Sequence, residues 1–125
     1  MKNVSDTVDF MKQGMTEVCY GFFSTLANPT RLAIIELLSN GPKNVTEIVE
    51  SLKQEQSMIS HNLRPLVRCK FVHAKRDGKA RVYSLNKKTI DPIISAVENH
   101  AEEFCYGGYQ CPGKLRAETT RKRDK

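Results

Sequence analysis

The sequence predicts a mainly α-helical domain with one small β-hairpin. Three observations indicate this fold class. Apolar residues recur at steps of three and four in five segments, Asp77-Gly78 separates two short alternating stretches, and Asn, Pro and Gly stand at segment ends. A chain of 125 residues suits a single domain with one modest core.

The first predicted helix covers residues 8–26. Its apolar side chains fall on one stripe about 80° wide when successive residues are placed about 100° apart. They are Val8, Met11, Met15, Cys19, Phe22 and Leu26. So narrow a stripe is suited to burial against a partner helix.

The next two helices are predicted from their end signals. Asn28 is a candidate N-cap, Pro29 suits the first helical position, and residues 40–42 (Asn-Gly-Pro) end the second helix. Its buried face is expected to include Leu32, Ile35 and Leu38. Thr46 is the expected cap of a short third helix, which would bury Ile48, Val49 and Leu52.

A polar break leads to a fourth helix, residues 57–71, in which Pro65 predicts a kink or a loosened turn. The stretches FVHAKR and ARVYSL predict two strands joined at the Asp-Gly turn. A fifth helix is expected from Lys87 to Cys105, with Gly107-Gly108 as its end. Two short helices with a tight break, followed by a basic hairpin, predict a winged helix-turn-helix over residues 1–106. Residues 107–125 are predicted to be a Cys-containing turn and a disordered basic tail.

Basic residues are concentrated in one block. The chain carries a formal net charge of +6, yet residues 64–88 alone hold nine basic residues and one acidic residue, a net of +8. Residues 1–63 hold five basic and seven acidic residues, and residues 89–111 hold four acidic and no basic ones. Such a block predicts a surface that binds a polyanion, with a merely solvated face as the alternative.

The fourth helix carries the candidate DNA-reading face. One side of its helical wheel holds Ser57, His61, Arg64 and Arg68, with Ser60 on the flank, and the opposite side is apolar. Guanidinium, hydroxyl and imidazole groups bond base edges or phosphates. The hairpin would add phosphate or minor-groove contacts from Lys75, Arg76, Lys79 and Arg81. An ordinary amphipathic surface helix is the alternative interpretation.

Three stretches, LANPTRLAIIELL (26–38), SMISHNL leading to Leu66 (57–66) and RDGKARVYSL (76–85), together resemble the ArsR-type (arsenic-repressor-like) family. The resemblance implies a homodimer formed through the first and last helices. It also implies a repressor that binds double-stranded operator DNA and that an inducer releases.

The effector positions of that family are where this chain differs. Many metalloid-sensing members have a cysteine pair on the third helix, which here reads NVTEIVESL. Zinc-sensing members use Asp and His at the start of the last helix, where this chain has Lys87 and Thr89. His100 and Glu103 match only the second half of that site.

The cysteines leave three interpretations open. Cys19, Cys105 and Cys111 would suit a soft metalloid ion such as arsenite, or zinc with a fourth ligand, if the first and last helices meet. Alternatively, Cys105 and Cys111 would close a regulatory disulfide. In the third interpretation the cysteines have no effector role.

We therefore expect a cytoplasmic, homodimeric, DNA-binding transcriptional repressor rather than an enzyme, since no nucleophile–base pair or phosphate loop is evident. The cytoplasmic expectation follows from the lack of a secretory signal and of a bilayer-spanning apolar run. The alternatives are a winged-helix module that binds other proteins, and a DNA-binding regulator with no metal or redox effector.

Overall fold

The computed structural model describes residues 14–105. By their internal contacts the residues divide into two compact units, Met1–Asn86 and Lys87–Lys125. Residues 14–86 of the first unit and residues 87–105 of the second are described.

The first unit has four described helices and three described strands. In chain order they are α1 (Met15–Leu26), α2 (Pro29–Leu38), β1 (Lys43–Asn44), α3 (Val45–Leu52), α4 (Gln56–Arg68), β2 (Val72–Asp77) and β3 (Ala80–Leu85). α3 and α4 form a helix-turn-helix, and β2 with β3 forms the wing that follows it. The predicted winged helix-turn-helix is confirmed. Residues 8–13 of the predicted first helix lie outside the described residues.

The sheet has three antiparallel strands in the order β1-β3-β2, not the two that were predicted. β2 and β3 pair from Val72 opposite Leu85 to Asp77 opposite Ala80, with Gly78 in the turn at a φ of 66°. A positive φ of this kind favours glycine, which confirms the predicted hairpin. β1 is only two residues long, so it could not show the alternating pattern by which strands are recognised.

The helix caps match one prediction and correct another. The Arg31 amide donates to Asn28 Oδ1 at 3.1 Å, so Asn28 caps α2 as expected. Asn44, and not Thr46, caps α3. The Glu47 amide donates to Asn44 Oδ1 and the Asn44 amide donates to Glu47 Oε1, each at 2.9 Å. This reciprocal pair is a capping box, which satisfies two backbone donors that the helix itself leaves free.

The core of the first unit is built from apolar side chains on the inner faces of its helices and of β2 and β3. Its buried apolar residues are Leu26, Ile34, Ile35, Leu38, Ile48, Ile59, Leu63, Leu66, Phe71, Val72, Tyr83 and Leu85. α1 joins this core at its C-terminal end, where Phe22 makes an edge-to-face contact with Phe71 at 5.0 Å between ring centroids. The prediction that Leu32 is buried was wrong, because α2 turns Ile34 toward the core and leaves Leu32 exposed.

A buried asparagine ties α4 to α2. Asn62 is only 4% exposed, and its Oδ1 accepts a hydrogen bond from Arg31 Nε at 3.0 Å. The Asn62 amide group donates to the Met58 carbonyl at 3.0 Å, and Arg31 Nη1 donates to the Thr25 carbonyl at 3.2 Å. One guanidinium therefore links the end of α1, the start of α2 and the middle of α4.

α4 continues as one helix through Pro65 and ends at Arg68, three residues before the predicted end. Lys70 adopts a left-handed φ of 67°, and the Phe71 amide donates to the Leu66 carbonyl at 2.9 Å. This C-terminal closure turns the chain directly from α4 into β2.

In the second unit, α5 (Lys87–His100) is followed by a π-helical turn, Ala101–Cys105, where one continuous α-helix was expected. The rings of His100 and Phe104 lie 5.0 Å apart across this junction. Ile90 is buried, whereas Val97 and Phe104 are 58% and 56% exposed. Two large apolar side chains of the second unit are therefore exposed in the described chain. The predicted Gly-Gly end of this helix lies outside the described residues.

Replacing Asn62 by Ala is expected to lower the free energy of unfolding by about 1–3 kcal/mol, because the part-buried Arg31 guanidinium loses its acceptor. Urea-induced unfolding measures the change. Asn40→Ala, at an exposed position, is the matched control and should alter stability by no more than about 0.5 kcal/mol. Equal losses in the two variants would contradict this account of the Arg31–Asn62 bond.

Candidate nucleic-acid interface

α4 has one buried face and one exposed face, as its sequence predicts. Ile59, Leu63 and Leu66 are buried. The opposite side presents exposed Ser57, His61, Arg64 and Arg68, with Ser60 half-buried. Most of the polar side chains proposed to read DNA are therefore not packed against the rest of the described chain.

The position of this exposed face follows from contacts on the other side of the helix. The Arg31–Asn62 hydrogen bond holds the middle of α4 against α2. At the N-terminal side, Lys53 takes a left-handed φ of 56°, which ends α3 and permits the short turn into α4. Thr30 Oγ1 lies 3.4 Å from Gln54 Oε1 in that turn, a second contact between α2 and the helix-turn-helix.

The wing carries the four predicted basic residues on exposed positions: Lys75, Arg76, Lys79 and Arg81. Arg76 lies directly opposite Arg81 in the β2–β3 ladder, whereas Lys75 lies opposite Val82. Cross-strand partners project to the same face, and like charges that face each other are destabilising. The wing therefore concentrates positive charge at a cost to its own stability.

A cleft of about 370 Å³ separates part of α4 from the wing. Ser60, Arg64 and Arg68 line it from α4, and Arg81 lines it from β3. The structure thus brings together predicted residues that are up to 21 positions apart in the sequence (60 to 81). Ser57 and His61 lie outside the lining of this cleft.

The basic side chains of this region lack acidic partners. Within residues 14–105, Arg64, Arg68, Arg76 and Arg81 form no ion pair. Their charges are therefore not neutralised within the described chain. An anionic ligand would relieve both the uncompensated charge and the repulsion between neighbouring guanidiniums.

Met58 was missed by the sequence reasoning. This side chain is 48% exposed in the first turn of α4, beside the candidate reading face. Its signal was present in the helical wheel, where it falls about 100° from Ser57 and outside the apolar arc. An exposed apolar side chain at this place suits contact with the methyl group of thymine.

The predicted effector cysteines are only partly visible. Cys19 on α1 and Cys105 in the π-helical turn are half-buried, while Cys111 lies outside the described residues. Among residues 14–105, no group of three His, Cys, Asp or Glu side chains is placed to hold a metal ion. The described donor set by itself does not fit a metal site. Cys69, at the C-terminal end of α4, is exposed, and its Sγ lies 3.8 Å from Thr25 Oγ1.

No described helix has both the length and the apolar character required to cross a bilayer.

Comparison with known proteins points to one family. The sequence model of the arsR family of bacterial regulatory proteins matches residues 28–74 of this chain. The HTH-type transcriptional regulator NmtR of Mycobacterium tuberculosis is 38% identical over 82 residues, which cover 66% of this chain and 68% of NmtR. A probable mercury resistance operon repressor of Streptomyces lividans is 36% identical over 73 residues, 58% of each chain.

A solved structure agrees in fold. The homodimeric winged helix-turn-helix DNA-binding domain of Mb0332 from Mycobacterium bovis matches with a TM-score of 0.68. The match covers 81% of this chain and 94% of that one, at 24% sequence identity.

Replacing Arg76 by Gln is expected to raise the free energy of unfolding by a few tenths of a kcal/mol at low salt, because it removes the like-charge pair with Arg81. Lys75→Gln, which removes a charge opposite Val82, is the matched control and should give a smaller change. The difference between the two variants should shrink as salt is added. A destabilised Arg76→Gln protein would contradict the proposed repulsion.

Proposed function

This chain belongs to the arsR family of bacterial regulatory proteins, and on that premise we propose that it represses transcription by occupying a specific operator. It is a DNA-binding transcriptional regulator and not an enzyme. The observation that carries the proposal is the unpaired basic surface formed by α4 and the wing, because an uncompensated cationic surface beside an exposed polar helix face suits duplex DNA.

Different side chains have different roles in this proposal. Ser57 and His61, in the N-terminal half of α4 and outside the cleft, read base edges in the major groove, and Met58 contacts a thymine methyl group. Lys75, Arg76 and Lys79 contact phosphates or the minor groove, which adds affinity without sequence choice. Ser60, Arg64, Arg68 and Arg81 face the cleft between α4 and the wing.

The regulator acts as a homodimer. Phe23 on α1 is 57% exposed, and Val97 and Phe104 of the second unit are similarly exposed. Large apolar side chains on separate exposed faces favour burial against a second copy, and the Mb0332 domain is itself homodimeric. We assign DNA binding and dimerisation to residues 1–106. A two-fold dimer presents two α4 helices, so the operator should contain near-palindromic half-sites about one helical turn apart.

The effector is sensed through cysteine. Cys19 lies in a mainly apolar groove on α1 with Met15 and Phe23, where a change of its thiol would alter the dimer surface. Two chemistries would use Cys19, Cys105 and Cys111: binding of a metal or metalloid ion such as zinc or arsenite, and a disulfide between Cys105 and Cys111. The relative from Streptomyces lividans, a probable repressor of a mercury resistance operon, supports the first. Either one would shift the dimer toward a geometry that does not bind DNA.

Since chromosomal DNA is the proposed partner, we place the regulator in the cytoplasm.

A footprint of the full chain on the promoter of its own gene is expected to show a near-palindromic protected site. His61→Ala should relax the preference at one base position in each half-site, because it removes a side chain from the reading face. Lys79→Ala should instead weaken binding to all sequences and lower the slope of log K against log salt by about one. Each variant serves as the control for the other. Diffuse protection that ignores sequence would sink the repressor proposal and favour a module that binds proteins.

Release of operator DNA should follow one effector chemistry. We expect zinc, arsenite or an oxidant to weaken DNA binding by the wild-type chain, and Cys105→Ser and Cys111→Ser to abolish the response. Cys19→Ser should abolish the response to an ion but not to an oxidant, because the disulfide does not need Cys19. Cys69→Ser, an exposed thiol outside this set, is the control. An unchanged response in the Cys105 and Cys111 variants would exclude the cysteine sensor.

A further inference from the structure

One residue that lines the cleft between α4 and the wing carries a hydroxyl group without a hydrogen-bond partner in the described chain. Tyr83, in the middle of β3, is 9% exposed and lines the cleft. Its hydroxyl has no hydrogen-bond partner in the described chain, yet it is not sealed from solvent as an unsatisfied buried atom would be. A tyrosine that is nine-tenths buried usually finds a partner for its hydroxyl. Tyr83 therefore offers an unpartnered hydrogen-bond donor on a residue that lines the cleft.

The other residues that line the cleft supply positive charge that no acidic side chain of the lining neutralises. The half-buried Ser60 provides a second hydroxyl, and Arg64, Arg68 and Arg81 provide three guanidiniums. No acidic side chain lines the cleft, and none pairs with these arginines among residues 14–105. The other lining side chains are apolar, including Leu63 and Val67, and an apolar surround strengthens hydrogen bonds and charge interactions.

The backbone fixes this arrangement from two directions. Arg81 and Tyr83 are two residues apart on β3 and so project to the same side of the sheet. Ser60, Arg64 and Val67 recur at steps of three and four on α4, along the flank that faces the wing. Both walls belong to the same compact unit.

We propose that this cleft is a phosphate-binding site, in which Tyr83 and Ser60 donate hydrogen bonds and Arg64, Arg68 and Arg81 supply the charge. Two hydroxyl donors and several guanidiniums around an acid-free cavity match the several acceptor oxygens and the negative charge of a phosphate group. The phosphate comes either from the DNA backbone, in which case the site rests on the proposed function, or from a free phosphate compound. If the phosphate is that of the DNA backbone, residues of α4 and of the wing contact the same phosphodiester linkage.

The first experiment tests the DNA source. Operator duplexes that each carry a neutral methylphosphonate at one linkage position, placed symmetrically in both half-sites, are bound to the full wild-type chain, to Tyr83→Phe and to the control Tyr20→Phe. Tyr83→Phe keeps the buried ring, while Tyr20 is exposed on α1. Tyr83→Phe should bind the unmodified operator about tenfold more weakly than the wild-type chain does, because it loses a hydrogen bond to a charged group. At one linkage the methylphosphonate should make Tyr83→Phe and wild type equal, since both changes remove the same contact.

The second experiment tests the free source. The ¹⁵N-labelled full chain is titrated with sodium phosphate against sodium chloride of equal ionic strength, and amide signals of Ser60, Tyr83 and Tyr20 are followed. A saturable shift at Ser60 and Tyr83 that Tyr83→Phe weakens, with displacement of operator DNA, assigns the site to a free phosphate compound. Coupling at one linkage without such a shift assigns it to the DNA backbone.

Two results separate this site from the proposed function. If Tyr83→Phe and every methylphosphonate act additively, and free phosphate causes no saturable shift, the phosphate site is overturned while the repressor proposal stands. If the wild-type chain binds no operator at all, the repressor proposal fails. The phosphate titration then decides the cleft by itself.

Discussion

The hydrogen bond from Arg31 to Asn62 is the constraint on which the placement of the interface depends. Asn62 is a polar residue inside an apolar core. Because its hydrogen bond to Arg31 is directional, it allows far fewer orientations of α4 than apolar contacts would. The same guanidinium also reaches the Thr25 carbonyl at the end of α1. Rotation of α4 would break the bond to Asn62 and leave the part-buried Arg31 Nε without its acceptor, and that penalty holds the polar face of α4 outward.

The wing and the cleft concentrate like charges, which disfavours the free protein. Arg76 and Arg81 oppose each other across the hairpin, and the arginines around the cleft have no acidic partners in the described chain. A surface selected for stability alone would intersperse charges of both signs. The polyanion completes the electrostatics of this surface, and the affinity of the proposed complex therefore depends strongly on salt.

The proposed regulation requires that the effector and the DNA both shift one equilibrium between two dimer geometries. Cys19 shares an apolar groove with Phe23 and Met15 on α1, so a bond formed by its thiol changes the shape and polarity of the proposed dimer surface. The two α4 helices of a dimer must match successive major grooves, and a small change in their separation removes one of the two half-site contacts. The π-helical turn Ala101–Cys105 interrupts the regular helix and ends at one of the proposed sensing cysteines, and such turns are frequent at functional sites.

The sequence by itself determined the helices, the β-hairpin, their order and the two faces of α4, because the apolar period, Asn28-Pro29 and Asp77-Gly78 act through local geometry. It also located the positive charge, since charge needs no fold to be counted. Tertiary structure alone decided the pairing of β1 with β3, the choice of Asn44 over Thr46 as a cap, and the exposure of Leu32. The same holds for the partner of Asn62 and for the meeting of Tyr83 with Arg64 and Ser60 across the cleft. These features depend on groups brought together from distant positions or on competition between neighbouring caps, and no local pattern encodes their outcome.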